Sequence, residues 1–475
     1  MMTGRGMFAA IGPEICIGSA ILVLVFFERF YRVSRHWSRL TALVSILFAM
    51  IALVPSLSGP AMVLESVYIA DFYTVIFKFV MLSVSLFLII GARRTQIQTE
   101  GSDFHLPLLF GTLGGMISAG SSDLFLLYLS VELTAFSSIF MLMMLKNNLH
   151  SHRFFFFNLI GFQVIGSVCL LAGAGCLQIG AHESHYSLIR DALRNVPTAA
   201  LPVFFIGLLF LLFGLIIKWN VIPAHYYSLR FLPDDAVQFF IWFFLMISAS
   251  MTAILGRLFA VLQPILNLGL TDIISTISMA ILIAGGVAGI GSASSRKFGY
   301  FLLAQHGFIV LAALADASPG KAGIRIDSST HGLLMLATLC IPGIYFLLFP
   351  DRIQSQRITT EQSMTNQIGI LVLLGTIAGM PFTLGFHARL FTFRWLILDR
   401  STITFCFAFL GYLLIIMLSV QLSAHFSRFI PRNWSVHAIW AERIGLCLFG
   451  SLLLGLGLIP APLIRVFESI LHRLV

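Results

Sequence analysis

Lys218 ends the apolar run from Leu201 to Ile217 and is followed by Trp219, Asn220, Val221, Ile222, Pro223, Ala224 and His225. An ammonium group in hydrocarbon costs several kcal/mol unless it is paired, hydrated or neutral. Pro223 removes a backbone donor just beyond it, so the helix is expected to break there and leave polar backbone groups in need of partners. A costly charge beside a broken helix is a pattern of ion pathways. Glu132 offers the complementary charge. It lies in Leu124-Phe-Leu-Leu-Tyr-Leu-Ser-Val-Glu-Leu-Thr, where a lone carboxylate must hold a proton or find a cation. An acid and an amine from two helices can be joined or parted by a passing proton; the alternative is a fixed ion pair.

Further residues extend this chemistry. Lys78 stands two helical turns after Asp71, too far for a direct pair, and either snorkels or meets another helix. His306, in Phe301-Leu-Leu-Ala-Gln-His-Gly-Phe, can pass a proton near neutral pH or can serve as a hydrogen-bonded helix contact. Arg389 follows the interrupted stretch Gly379-Met-Pro-Phe-Thr-Leu-Gly-Phe. Arginine keeps its proton, so it can hold a field or a counter-ion but cannot relay. His225 and His387 flank the two interruptions, near Pro223 and Pro381, and could connect them to water.

Such residues need a low-dielectric frame, and the composition supplies one. Of 475 residues, 58% are hydrophobic and 10% charged, where a soluble domain carries about 25% charged. With a mean hydropathy of +0.96, the chain reads as an all-α, polytopic integral membrane protein. Long continuous apolar runs exclude an outer-membrane barrel. Spans of roughly 20 residues fall near 11–27, 40–57, 68–91, 105–120, 123–145, 154–180 and 198–220. Others fall near 236–256, 272–291, 298–315, 328–349, 367–393, 402–424 and 443–467, giving about fourteen helices. Loops 181–197 and 425–442 are long enough for a surface helix. The stretch from Ile15 to Phe27 reads as a span and not a cleaved leader, because Arg29, Arg32, Arg35 and Arg39 follow it without a cleavage site.

The whole of 1–475 is expected to form one transmembrane domain. N-terminal helices occupy 11–104, a first repeat 105–240, a second repeat 272–400 and C-terminal helices 401–475. Each repeat ends near a broken helix, the pattern of an inverted repeat. Lys and Arg divide about sixteen to about ten between the two sides, which places both termini outside. The six cysteines lie in apolar segments without CxxC spacing, so metal, Fe–S and disulfide chemistry find no support. No GxGxxG or P-loop occurs, and the net charge of +9 is spread over many short loops, so neither a nucleotide site nor a nucleic-acid partner is expected.

The motifs resemble those of the antiporter-like subunits of respiratory complex I, most of all the subunit N type (mitochondrial NADH dehydrogenase subunit 2). Residues 106–133 resemble that type's fourth and fifth helices, with Glu132 on its key glutamate. Lys218-Trp-Asn-Val-Ile-Pro-Ala-His225 resembles its broken seventh helix, Arg296 to Phe308 its tenth-helix motif, and Gly379 to Phe386 its broken twelfth. Arg389 stands where the family usually places lysine. Pro13-Glu14 and Asp71-Phe72 with Lys78 also fit, and the similarity runs from about residue 11 to 400. The family's sixth-helix lysine falls at or near Phe156, with Arg153 the nearest cation, and its eighth-helix lysine falls around Ser248. Tyr226-Tyr-Ser-Leu-Arg stands where Trp-Thr-Pro-Asp is usual.

The resemblance implies a proton-translocating membrane-arm subunit of an NADH:quinone oxidoreductase. Glu132, Lys218, His306 and Arg389 would form the proton-transfer axis, with Lys78 and His225 accessory. It implies no cofactor in this chain; NADH, FMN, Fe–S clusters and quinone belong to partner subunits, and quinone is met only through the whole complex. The partners are other membrane-arm subunits and the bilayer of a bacterial inner membrane, or the mitochondrial inner membrane if organellar. Two alternatives are a subunit of a multisubunit cation/proton antiporter and a degenerate member that completes the membrane arm without pumping.

Overall fold

The computed structural model describes residues 4–30, 35–58, 61–63, 67–92, 104–144, 153–194, 196–197, 200–221, 237–292, 294–317, 330–349, 364–399, 402–426, 436–462 and 464. The apolar runs become helices because hydrocarbon leaves backbone N–H and C=O groups no partners but one another. The first are α1 (Gly4–Phe30), α2 (Arg35–Ala52) and α3 (Phe72–Gly91), with an antiparallel hairpin, β1 (Ala61–Val63) and β2 (Tyr68–Ala70), before α3. Next come α4 (His105–Gly120), α5 (Leu124–Met144), α6 (Arg153–Ala181), the short α7 (Tyr186–Arg194) and α8 (Leu201–Lys218). The second half holds α9 (Val237–Ile265), α10 (Thr271–Ile290), α11 (Ser294–Ala317) and α12 (Thr330–Leu348). It closes with α13 (Met364–Ala378), α14 (Leu384–Asp399), α15 (Thr402–Phe426) and α16 (Val436–Leu458).

The chain is a multi-pass membrane protein. Among the described residues, 11 helices are long and apolar enough to cross a membrane. With 16, 15 and 16 residues, α4, α13 and α14 are shorter, and α16 is not among the eleven either, so the expected spans 105–120, 367–393 and 443–467 do not count and fourteen is not reached. Residues 68–70 are strand, not helix, because the Asp71 side chain accepts the Thr74 N–H and starts α3 one residue later. The expected span 367–393 is two helices, as its Gly/Pro interruption implied. The span near 236–256 continues to Ile265 and so takes Arg257 into the helix. The short helix α7, expected as a surface element of loop 181–197, buries Tyr186, Ile189 and Leu193 along one face.

Two helices form the centre. The spans within α9 and α11 are 89% and 94% buried, whereas those of α1, α2, α6 and α15 are 33% buried and turn most of their surface outward. The pair α6 and α8 packs antiparallel through glycines spaced seven apart on each helix. Gly173 faces Gly207 and Gly166 faces Gly214; a Cβ on Gly214 would come within 2.9 Å of the Gly166 carbonyl. Small residues let two membrane helices approach this closely. The contact sets Gly166 against the Lys218 stem and positions the end of α8.

Candidate functional site

The end of α8 is built by its own backbone. Asn220 adopts a left-handed conformation (φ 53°). Its N–H donates to the Ile217 carbonyl at 2.9 Å, and the Val221 N–H donates to the Ile216 carbonyl at 3.0 Å. This paired closure is a Schellman motif, in which asparagine is the usual substitute for glycine. The helix therefore ends at Lys218, ahead of Pro223, which lies outside the described residues together with His225. The ammonium group of Lys218 sits at the carbonyl end of α8, where the helix dipole favours a cation.

Two other helices supply its partners. Lys218 Nζ donates to Glu132 Oε2 of α5 at 2.7 Å and to Ser167 Oγ of α6 at 2.7 Å. Tyr128, one turn before Glu132, adds a phenol beside Glu132 and Ser167. The Phe136 ring lies 5.9 Å from the same ammonium group. Below it Gln163 Nε2 donates to Asn220 Oδ1 at 3.2 Å, which ties the capping residue to α6. The side chains of Lys218 and Glu132 are only 2% and 11% exposed. Glu132 Oε1 accepts no well-formed hydrogen bond from the described residues, so one carboxylate oxygen is spent on the amine and the other is not.

The second interruption repeats the backbone device. The Gly379 N–H donates to Thr376 at 3.1 Å and the Met380 N–H to Gly375 at 2.7 Å, with Gly379 at φ 82°. Phe382 is also left-handed (φ 68°), an unfavourable conformation for a bulky residue. From α14, the fully buried Arg389 reaches back to this break. It donates to the Gly385 carbonyl at 3.1 Å, to the Ile377 carbonyl and to Gln305 Oε1, and lies over the Phe308 ring at 4.8 Å. Among the described residues no carboxylate lies within ion-pair distance of it. Tyr412 closes the niche by donating to the Gly379 carbonyl at 2.7 Å.

His306 lies between these sites in sequence and is buried, with Nδ1 3.2 Å from the Leu303 carbonyl and its ring edge-on to Phe244 at 4.8 Å. Among the described residues it bonds to neither Lys218 nor Arg389; its neighbour Gln305 makes the link to Arg389. Ser248, where the family's lysine is missing, is buried on α9 with its hydroxyl unpartnered among the described residues. The side chains of Arg153 and Phe156 lie outside the described residues. His387 points its Nε2 at the Gly457 carbonyl of α16, 2.7 Å away, and so ties α14 to α16.

Lys78 meets another helix. Its ammonium group contacts Glu14 Oε1 at 2.8 Å and the Ala10 carbonyl of α1 at 3.2 Å. Tyr68 donates to the same carboxylate at 2.6 Å, and its ring lies 5.1 Å from Nζ. Burial, then the Glu14 charge, pushes the Tyr68 phenol well above its ordinary pKa, so it stays a donor. Asp71, too far along α3 to reach Lys78 as its spacing implied, pairs with Arg257 Nη2 at 2.7 Å. In sequence the span ends at 256 and Arg257 reads as a loop residue, whereas α9 carries it inside the helix. Ser167, Gln163 and Asn220 also go unmarked in sequence, although an isolated polar side chain inside an apolar run is a readable signal.

No family model matches the chain. The chain is similar over most of its length to curated proteins named NADH-quinone oxidoreductase subunit N. That of Paraburkholderia phymatum is 24% identical over 514 residues, covering 98% of each protein. In fold, the chain matches a subunit of respiratory complex I from Thermus thermophilus with a TM-score of 0.75 at 16% identity, covering 95% of this chain and 98% of that one. It also matches a subunit of the Mrp complex from Dietzia sp. with a TM-score of 0.67 at 14% identity, covering 96% of this chain and 51% of that longer one. The resemblance read from the motifs thus holds across the chain, and the fold is shared with both kinds of assembly.

Proposed function

We propose that this chain is a proton-translocating membrane-arm subunit of an NADH:quinone oxidoreductase. The buried contact of Lys218 with Glu132 across α5 and α8 carries the reading. A lysine can exist charged or neutral in a protein interior, so a proton arriving at or leaving Nζ changes its attraction to the carboxylate. Glu132 holds the amine in register and tunes its proton affinity. Ser167 supplies a neutral acceptor when the carboxylate is protonated. His306 extends the route, and Arg389 provides a fixed positive charge at the far interruption. Lys78, enclosed by Glu14, Ala10 and Tyr68, acts as a structural pair joining α1 to α3. NADH oxidation, FMN, the Fe–S clusters and quinone chemistry belong to partner subunits, which couple to this chain through conformation. Both termini face the outer side of a bacterial inner membrane.

The likeness to a subunit of the Mrp complex supports a second reading, a subunit of a multisubunit cation/proton antiporter. Native purification separates the two: co-purifying Fe–S subunits support the first, and their absence from an intact assembly supports the second. For the mechanism, Lys218→Met in the assembled complex is expected to abolish redox-driven proton uptake into vesicles without loss of assembly. Normal uptake by that variant removes Lys218 from the route.

A further inference from the structure

The axis ends at Arg389, which does not release a proton. Proton exchange between the second half of the chain and water must therefore use another group, and one lies nearby. Asp316, in the last turn of α11, meets His331, in the first turn of α12. His331 Nδ1 lies 2.5 Å from Asp316 Oδ1. The backbone N–H groups of His331 and Gly332 donate to the same carboxylate at 3.4 and 3.1 Å. Both side chains are 6% exposed. His331 Nε2 is buried and has no hydrogen-bond partner among the described residues. With Asp316 accepting the Nδ1 proton, the tautomer is fixed and Nε2 becomes the basic nitrogen.

Position supports a role in exchange. Asp316 stands ten residues beyond His306 on α11, about 15 Å along the helix. It lies close enough to act electrostatically on Tyr73, whose hydroxyl donates to the Thr252 carbonyl at 3.1 Å. This is the end of the bundle that carries the β1–β2 hairpin and the Asp71–Arg257 pair. The His331 ring packs edge-on against Phe391 at 5.4 Å, two residues past Arg389. The pair thus lies between the Arg389 niche and one end of the bundle. A second Asp–His approach, Asp123 with His185, is longer at 3.8 Å, and its imidazole is 27% exposed.

We propose that Asp316 and His331 form the proton-exchange pair of the second half, at the hairpin end of the bundle. This rests on the proton-translocating reading. A proton from water forms an N–H bond at Nε2, and the resulting imidazolium is held by the Asp316 carboxylate. Release to water breaks the same N–H bond and restores the neutral ring. Among the described residues, Tyr73 of α3 and Arg257 of α9 are the ionisable groups near Asp316, and Arg389 and Arg394 flank Phe391 on α14. Among its described residues α13 contributes none, and Glu442 of α16 lies against Tyr345, fourteen residues along α12.

The test uses the intact assembly in vesicles, with redox-driven proton uptake followed by a pH-sensitive dye from about pH 5 to 8. His331→Gln and Asp316→Asn should both assemble, lose proton uptake on the order of tenfold and show a flattened pH dependence. Asp316→Asn keeps an oxygen for the α12 backbone, so it reports the lost charge and not a lost cap. If His331→Gln fails to assemble, Asp316→Asn decides alone. Wild-type uptake and pH profile in Asp316→Asn, with Lys218→Met inactive alongside, overturn the pair and leave the translocating reading standing. Undiminished uptake in Lys218→Met overturns that reading and the pair with it.

Discussion

At the end of α8 an ammonium group meets a carboxylate from α5, whereas at the end of α13 a guanidinium meets, among the described residues, carbonyls, an amide and a ring. The two breaks share their backbone closure, with Asn220 and Gly379 at the left-handed position. Each break has a buried cation beside it: Lys218 in the last turn of α8, and Arg389 bonded to the Ile377 carbonyl. What differs is the side chain and its counter-ion. Lysine with a glutamate partner can trade a proton, while arginine surrounded by neutral acceptors can only keep its charge. A broken helix therefore makes a polar niche, and the residue placed there decides whether the niche exchanges or merely polarises.

The strongest way to break this contrast is to make the first site resemble the second. Lys218→Arg keeps a cation against Glu132 but removes proton exchange, so redox-driven proton uptake is expected to fall on the order of tenfold or more, with assembly retained. Vesicle uptake at the wild-type rate would show that exchange at this position is not needed. Next in size is Glu132→Gln, which preserves shape and removes the counter-ion. A several-fold loss of uptake is expected, together with a lower unfolding midpoint of the purified assembly. Breaking a buried pair by removing one partner costs about 3–5 kcal/mol when the remaining charge is retained. An unchanged midpoint would mean that Lys218 sheds its proton once the carboxylate is gone.

Much of this contrast was legible in the sequence, and the missing parts share a cause. Glu132, Lys218 and Arg389 stand out because an ionised group inside a long apolar run is expensive, and the cost marks the position. The Gly379–Pro381 break was readable for the same local reason. The partner of each charge was less accessible, because pairing depends on which helices pack. Lys78 turned to Glu14, 64 positions earlier in the chain, and Asp71 turned to Arg257, 186 positions later. In sequence the helix stop at Lys218 points to Pro223, since proline is a stronger local signal than an asparagine that takes the left-handed region. The Asp316–His331 contact bridges two helix ends, and neither residue lies deep enough in an apolar run to draw notice.

A smaller effect is expected at the second break. Arg389→Lys keeps a positive charge among the same carbonyls, so uptake should stay within about twofold, whereas Arg389→Met leaves the Gln305 and Ile377 acceptors without their donor and should lower it further. Equal losses in the two variants would mean that the guanidinium's geometry matters more than its charge. If Arg389→Lys instead raises uptake, the second niche becomes exchanging, and the arginine marks a site whose pumping has been reduced.

The smallest effects separate the two closures themselves. Asn220 already carries a Cβ, so Asn220→Ala loses its bond from Gln163 and its tolerance of the left-handed region, a cost of about 1 kcal/mol that thermal unfolding of the assembly should reveal. Gly379 carries none. A Cβ there would stand 2.6 Å from Arg389 Nη1, and the residue is also left-handed. Gly379→Ala should therefore cost about 1–2 kcal/mol in backbone strain and also displace the guanidinium from its acceptors. That variant should disturb uptake as well as stability, and Asn220→Ala stability alone. If both variants changed only the unfolding midpoint, the close fit of Arg389 against its break would be packing without consequence for the charge it holds.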